Sequence, residues 1–304
     1  MITQYTVVQW IFLFYLYSFI GWIYESLYVS IKEKHWVNRG FLLGPFLPLY
    51  GCGAVMMLFV SIPFHRSLIL TFIAGCIGAT ALEYVTGVLM ESLFKVRYWD
   101  YSNRKFNFRG HICLAATMAW GVFTVLLTRV IHKPIEGILF QAPYEVIRVI
   151  TIVLSIYMVA DFTLSFKTAI DLRNVLINMD HIKEEMIRMQ KRLDVMIAFA
   201  GDSKDTVLQA TSQKADELSA ILEEKFGQIK EMLPKMQLSD EKKEELAELR
   251  IKFGVHKDRR FQLSHMKDFY RNAMIKGNPG MISLKFKEGL DEIKKAVMES
   301  RKKK

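Results

Sequence analysis

Four carboxylates stand where carboxylates are costly. Glu25, Glu83, Glu91 and Asp161 fall inside, or at the ends of, long stretches that are otherwise almost free of charge. If those stretches lie in hydrocarbon, each ionised group costs from about 3 to over 10 kcal/mol. Such a group persists by pairing, by protonation or by facing a polar cavity, and its sharpest reading is a proton or cation pathway. Glu83 is mid-stretch, with Thr86 and Gly87 one turn on. Glu91 follows eight residues later, roughly 80° around an ideal helix, so the two could flank one groove. The plainer reading of Glu83 is a structural partner of a basic or hydrogen-bonding side chain. Glu25 and Asp161 also read as interface residues reaching headgroups, with Lys167 within reach of Asp161.

A second cluster is the run Tyr98-Trp99-Asp100-Tyr101-Ser102-Asn103-Arg104. With Arg39 and Arg109, Trp99 and Asp100 form a candidate interfacial loop, which reads as a headgroup-level belt, a gate or a subunit contact. Enzyme signatures are missing. There is no Gly-x-x-x-x-Gly-Lys-Ser/Thr phosphate loop, no Gly-x-Ser-x-Gly, no His-Glu-x-x-His and no Cys-x-x-Cys. Cys52, Cys76 and Cys113 sit in apolar settings and read as packing residues. His35, His65, His111 and His132 sit in or beside loops at span ends, without an i, i+4 pair to hold a metal. No catalytic residue, cofactor or metal is expected, and the chain is not read as an enzyme.

The elements that must hold these groups follow from charge distribution. The first 170 residues carry 13 Lys and Arg and 8 Asp and Glu; the last 134 carry 28 and 23. Such asymmetry disfavours one globular domain, a disulfide framework or a disordered chain. It points to an all-α architecture: a polytopic membrane helical bundle over residues 1–170, then a cytoplasmic helical, partly coiled-coil tail over 171–304. Five transmembrane helices are expected. Val7–Tyr24 is uncharged for eighteen positions and continues toward Ile31; it lacks the basic n-region of a signal peptide. Phe41–Phe64 opens with Gly44, Pro45, Pro48, Gly51 and Gly53, so Phe41–Tyr50 reads as a broken or re-entrant entry and Gly51–Pro63 as regular span. Ser67–Phe94 is the third, with Gly75 and Ala79 inviting a close neighbour. Ile112–Thr128 and Val149–Phe166 are the fourth and fifth.

Alternate loops differ in basic residues. Lys32, Lys34 and Arg39 follow the first span, and Lys95, Arg97, Arg104, Lys105 and Arg109 the third. Arg66 alone follows the second, and Arg129, Lys133 and Arg148 the fourth. The positive-inside bias puts the N-terminus outside and the tail in the cytoplasm of a plasma membrane.

In the tail, Leu172, Val175, Met179, Ile182, Met186, Met189, Leu193 and Met196 step by alternating threes and fours, an unbroken heptad seam. It needs a partner, either another copy of the chain or a later helix folded back across the Gly201–Ser203 break. Val207–Leu233 is the next helix, stopped by Pro234; Ser239–Phe253, Phe261–Lys276 and Ser283–Arg301 follow. A tail excess of +5 is modest for nucleic acid, and no zinc-finger spacing or aromatic RNA motif accompanies it. Expected partners are membrane lipid and, through the tail, a second copy or a cytoplasmic protein.

Three signatures recur in order. The first is Asn38-Arg39-Gly40-Phe41-Leu42 with Gly44-Pro45, Pro48 and Tyr50-Gly51-Cys52-Gly53-Ala54. Next come Glu83-Tyr84, Thr86-Gly87 and Glu91, then Trp99-Asp100-Tyr101-Ser102, Phe106-Asn107, Gly110, Ile112-Cys113-Leu114 and Trp120-Gly121. Over about residues 1–170 the chain resembles the ABC-transporter type IV (CmpB-like) family of multi-pass membrane proteins, mostly from Gram-positive bacteria. The resemblance implies a permease subunit, which would need a separate ATPase chain because this one lacks the nucleotide loop. The leading expectation is therefore a transport component. A membrane-anchored scaffold or sensor recruiting a partner through the tail is the alternative, and an enzyme acting on lipid stands third.

Overall fold

The computed structural model describes residues 5–64, 66–200, 214–232 and 240–302. His65, the Gly201–Ser203 break, Pro234 and Ser239 lie outside the described residues. The described chain is helical apart from a two-stranded hairpin and short connections. It divides into two compact units, Met1–Arg173 with Asp268–Lys285, and Asn174–Lys267 with Phe286–Lys304.

The first unit is built from apolar helices: α1 (Val7–Glu33), α2 (Pro48–Ser61), α3 (Leu68–Phe94), α4 (Leu114–Leu126), α5 (His132–Gln141) and the front of α6 (Tyr144–Ala200). Four helical stretches are long and apolar enough to cross a membrane: Val7–Glu33, Leu68–Phe94, Leu114–Gln141 and Tyr144–Ile197. Helix α2, extended by the 3₁₀ turn Ile62–Phe64, is shorter. The outward faces are apolar too. Ile69, Ile77 and Val85 on α3 and Val149, Ile156 and Val159 on α6 are each more than half exposed. Continuous apolar surface of that extent is a liability in water and suits acyl chains.

Local signals place the ends. Thr6 caps α1 in a reciprocal capping box with Gln9. Residues 38–47 are irregular, and Pro48 then starts α2 at a position where its missing N–H costs nothing. The helices meet through small residues, since apolar helices gain little from leaving lipid and must pack closely. A Cβ on Gly21 would strike Tyr50, so α1 and α2 approach there. Gly75 packs on Thr124 and Gly121 on Cys76, which brings α3 against α4.

Helix boundaries differ from expectation most clearly in two regions. The expected loop carrying Arg129 and Lys133 is helix. A π turn, Leu127–Ile131, joins α4 to α5, and the break comes only at Ala142–Pro143. Pro134 has no N–H to donate and its ring crowds the preceding turn. The π turn just upstream, where His132 donates to Leu127 O, is where the ladder changes register. The second region lies in the tail. α8 (Asp240–His265) runs through the expected gap between Phe253 and Phe261, and the expected Phe261–Lys276 helix is cut at residues 266–268, where Asp268 caps α9 (Phe269–Gly277). Gly254 meets nothing that forces a break, and Leu246, Leu249, Phe253, Arg260 and Ser264 form one buried face along the helix.

In the second unit the heptad seam is covered from within the chain. Ile182, Met186, Met189 and Leu193 of α6 pack with Leu218, Leu222, Phe226 and Ile229 of α7 (Ala215–Met232) and Leu246, Leu249 and Phe253 of α8. α10 (Lys287–Lys302) covers the start of this stretch, with Gly289 against Leu176 and Met179. Buried Arg260 joins the layers, bonding Met179 O at 2.8 Å and Glu292 at 2.7 Å. The folded-back alternative is the one that fills the seam here.

Candidate functional site

A cavity of about 420 Å³ opens among α1, α2, α3, α4 and α6 in the first unit. Its wall is mostly apolar and aromatic, and the polar groups set into it are few: Glu25, Arg39, Glu83, Thr86, three tyrosines and Asn278. This is the usual makeup of a small-molecule site, an apolar pocket with a few convergent polar groups.

Glu83 projects from the middle of α3 and is buried. Tyr101 donates to its Oε1 at 3.0 Å and the Trp120 indole N–H to its Oε2 at 2.9 Å. Burial, then the Glu83 carboxylate, pushes the Tyr101 hydroxyl well above the ordinary tyrosine range, so it stays a donor. Glu25, near the end of α1, accepts from Tyr50 at 2.7 Å and meets Arg39 Nε at 3.5 Å. Arg39 also bonds Asn278 and, at 3.2 Å, the Tyr98 carbonyl. Tyr50 and Trp120 stand edge to face with ring centroids 6.3 Å apart, joining the two carboxylate clusters across the wall.

The other two carboxylates have different work. Asp161 accepts the backbone N–H groups of Leu43 at 3.1 Å and Gly44 at 2.8 Å, and Ser165 at 3.3 Å. It pins the irregular entry before α2, whose backbone would otherwise lack partners in lipid. Lys167 is not among its partners, contrary to expectation. Gly44 is required there, because a Cβ would run into Tyr157 and Asp161. Glu91 does not share a groove with Glu83. Its Oε2 lies 2.8 Å from Arg97 Nε, in an ion contact that the N–H is not aligned to make a hydrogen bond, and 3.1 Å from His111 Nε2. Burial first, then Arg97, holds the His111 imidazole below its ordinary range against the pull of Glu91. The helical 80° offset is enough to send Glu83 into the cavity and Glu91 toward the following loop.

The interfacial-loop candidates separate in the same way. Arg39 and Trp99 line the cavity. Asp100 instead takes Arg97 at 3.2 Å and Ser102 at 2.7 Å, folding the loop on itself. Arg109 sits in the tight turn of the hairpin β1 (Asn107–Phe108) and β2 (Ile112–Cys113) at φ 52°, exposed, its guanidinium 5.7 Å from the centre of the Phe108 ring.

Two features had no signal in any single motif. The segment Asp268–Lys285, from the charged tail, is docked on the first unit. Arg97 and Ile282 exchange backbone hydrogen bonds at 2.7 and 2.9 Å, Ser283 donates to Lys95 O at 2.7 Å, and Asn278 donates to Gly40 O at 2.7 Å. The second is a buried cluster centred on His132. Tyr5 lies 2.9 Å from Nε2 and Tyr17 2.7 Å from Nδ1, and Tyr5 donates to Glu136 at 2.6 Å. His132 and Glu136 are i, i+4, but the tyrosines arrive from more than a hundred residues away. Among the described residues no group of three or more His, Cys, Asp and Glu could hold a metal ion.

The family model described as "Putative ABC-transporter type IV" matches residues 12–166. No curated protein and no solved structure matches the chain.

Proposed function

The chain belongs to the ABC-transporter type IV family, and we propose that it acts there as a permease-like transport component whose ATPase is a separate chain. The observation that carries this reading is the cavity walled by apolar helices and lined by Glu25, Arg39 and Glu83. A carboxylate held in such a place is a functional-site hypothesis by default. The chain itself is not an enzyme on this reading, and the phosphate loop needed to hold ATP belongs to the partner.

The membrane arrangement proposed with it has five crossings, the N-terminus outside and the tail in the cytoplasm of a plasma membrane. Helix α2 with its 3₁₀ turn is 14 plus 3 residues, about 27 Å at 1.5 and 2.0 Å per residue, close to a hydrocarbon core of about 30 Å. The docking of Asp268–Lys285 on residues 39–40 and 95–98 supports putting those two basic loops and the tail on one face. Lipid covers the exposed apolar faces, and the tail helices are the surface offered to a second copy or a cytoplasmic protein.

The test is co-purification of the full chain, tagged after Lys304, from native membranes in mild detergent. An ATPase chain carrying a phosphate loop should accompany it, and the reconstituted pair should move a solute on ATP addition. Absence of both would remove the transport reading. The scaffold or sensor reading has one observation in its favour: α8 exposes Ile251, Val255 and Phe261 to solvent. Capture of a regulatory or envelope-assembly protein in place of an ATPase would favour it.

A further inference from the structure

We propose that the cavity is a binding site for an amphipathic organic monocation, held by Glu83 within a wall of aromatic rings. This deepens the transport reading by naming a ligand class. Charge accounting leads to it. Glu25 meets Arg39, Glu91 meets Arg97 and His111, and Asp161 is satisfied by two backbone N–H groups and a hydroxyl. Among the described residues Glu83 forms no ion pair; its two hydrogen bonds come from neutral donors. The cavity wall therefore carries two carboxylates and one guanidinium, one negative charge in excess.

Protonation of Glu83 is the competing way to remove that charge, and it is restricted to Oε1, where the Tyr101 hydroxyl would have to turn from donor to acceptor. Both oxygens are already acceptors. The indole N–H of Trp120 can only donate, so Oε2 cannot carry a proton toward it. Tyr50, Trp99, Tyr101 and Trp120 line the same cavity, and an aromatic ring face attracts a cation that has shed water. A small inorganic cation would not suit this wall, because it needs several oxygen ligands at short range. An organic cation needs one counter-charge and apolar surface, and the volume is in the range of ligand sites, about 300–1,000 Å³.

The experiment uses two probes of one shape and opposite charge, tetraphenylphosphonium and tetraphenylborate. Equilibrium binding of each is measured to the full chain in detergent. The wild type should bind the phosphonium at least about tenfold more tightly than the borate, a difference of about 1.4 kcal/mol. Glu83→Gln should remove that preference. Thr86→Lys keeps the carboxylate but places an ammonium one turn away on the same face, and should do the same. It decides the matter if Glu83→Gln fails to elute as a folded species. Equal binding of the two probes by the wild type, or a preference that survives in a folded variant, overturns the proposal. ATP-driven flux with the ATPase partner present and no phosphonium preference would remove the cation site alone; phosphonium binding with no ATPase partner would remove the transport reading alone.

Discussion

A carboxylate on an apolar helix is defined by what donates to it, and Asp161 is the clearest case. Two backbone N–H groups and a serine hydroxyl meet it, each charge-assisted bond worth about 1.5–3 kcal/mol. Asp161→Asn keeps the shape but puts an amide N–H₂ in place of one of the two oxygens facing the N–H groups of Leu43 and Gly44. The purified protein should lose about 2–4 kcal/mol of stability, read as a lower midpoint of thermal unfolding in detergent. Phosphonium binding should fall less than for Glu83→Gln, because Asp161 does not line the cavity. An unshifted midpoint would mean that the entry before α2 is held by something else.

At the scale of an element, helix α8 shows how one buried face governs a pH response. His256 is half-buried against α6, its Nδ1 without a hydrogen-bond partner among the described residues. Burial is the main cause holding its imidazole below the ordinary range near 6.5; Glu185 pulls upward, while Arg259, His181 and Lys252 push down. The unfolded chain therefore binds a proton that the folded helix refuses. Stability is fully present above the ordinary histidine range and is lost as pH falls through it. Thermal unfolding followed between about pH 7.5 and 5.5 should show a falling midpoint for the second unit, and His256→Gln should shrink that fall. Identical pH profiles for wild type and variant would assign the acid sensitivity to other groups.

For the whole molecule, the telling feature is that the chain returns to its first unit after leaving it. Asn278 is buried, donates to Gly40 O and Met274 O, and accepts from Arg39 of the cavity wall. Asn278→Ala would strand buried partners at about 1–3 kcal/mol each. Hydrogen exchange across Asp268–Lys285 should accelerate while α1 and α3 keep their protection; unchanged exchange would show that the docking is held by the backbone pairing of Arg97 with Ile282. The same feature is why the full chain is the reagent for partner capture, since a fragment starting at 171 would carry this segment without the surface it packs on.

Long uncharged stretches, helical periodicity, the irregular entry before the second apolar helix and the heptad seam were all legible residue by residue. Each depends on the solvent a stretch must face or on neighbours within two turns. The candidate carboxylates were legible too, because an acidic residue in such a stretch is conspicuous by its cost. Their partners were not. Trp120 reaches Glu83 from 37 residues away, Tyr5 reaches His132 from 127 and Asn278 reaches Gly40 from 238. Nor could spacing alone show that Glu83 faces a cavity while Glu91 pairs with Arg97. Those choices were made by which helix faces pack together, an energy shared among distant side chains that no local pattern encodes.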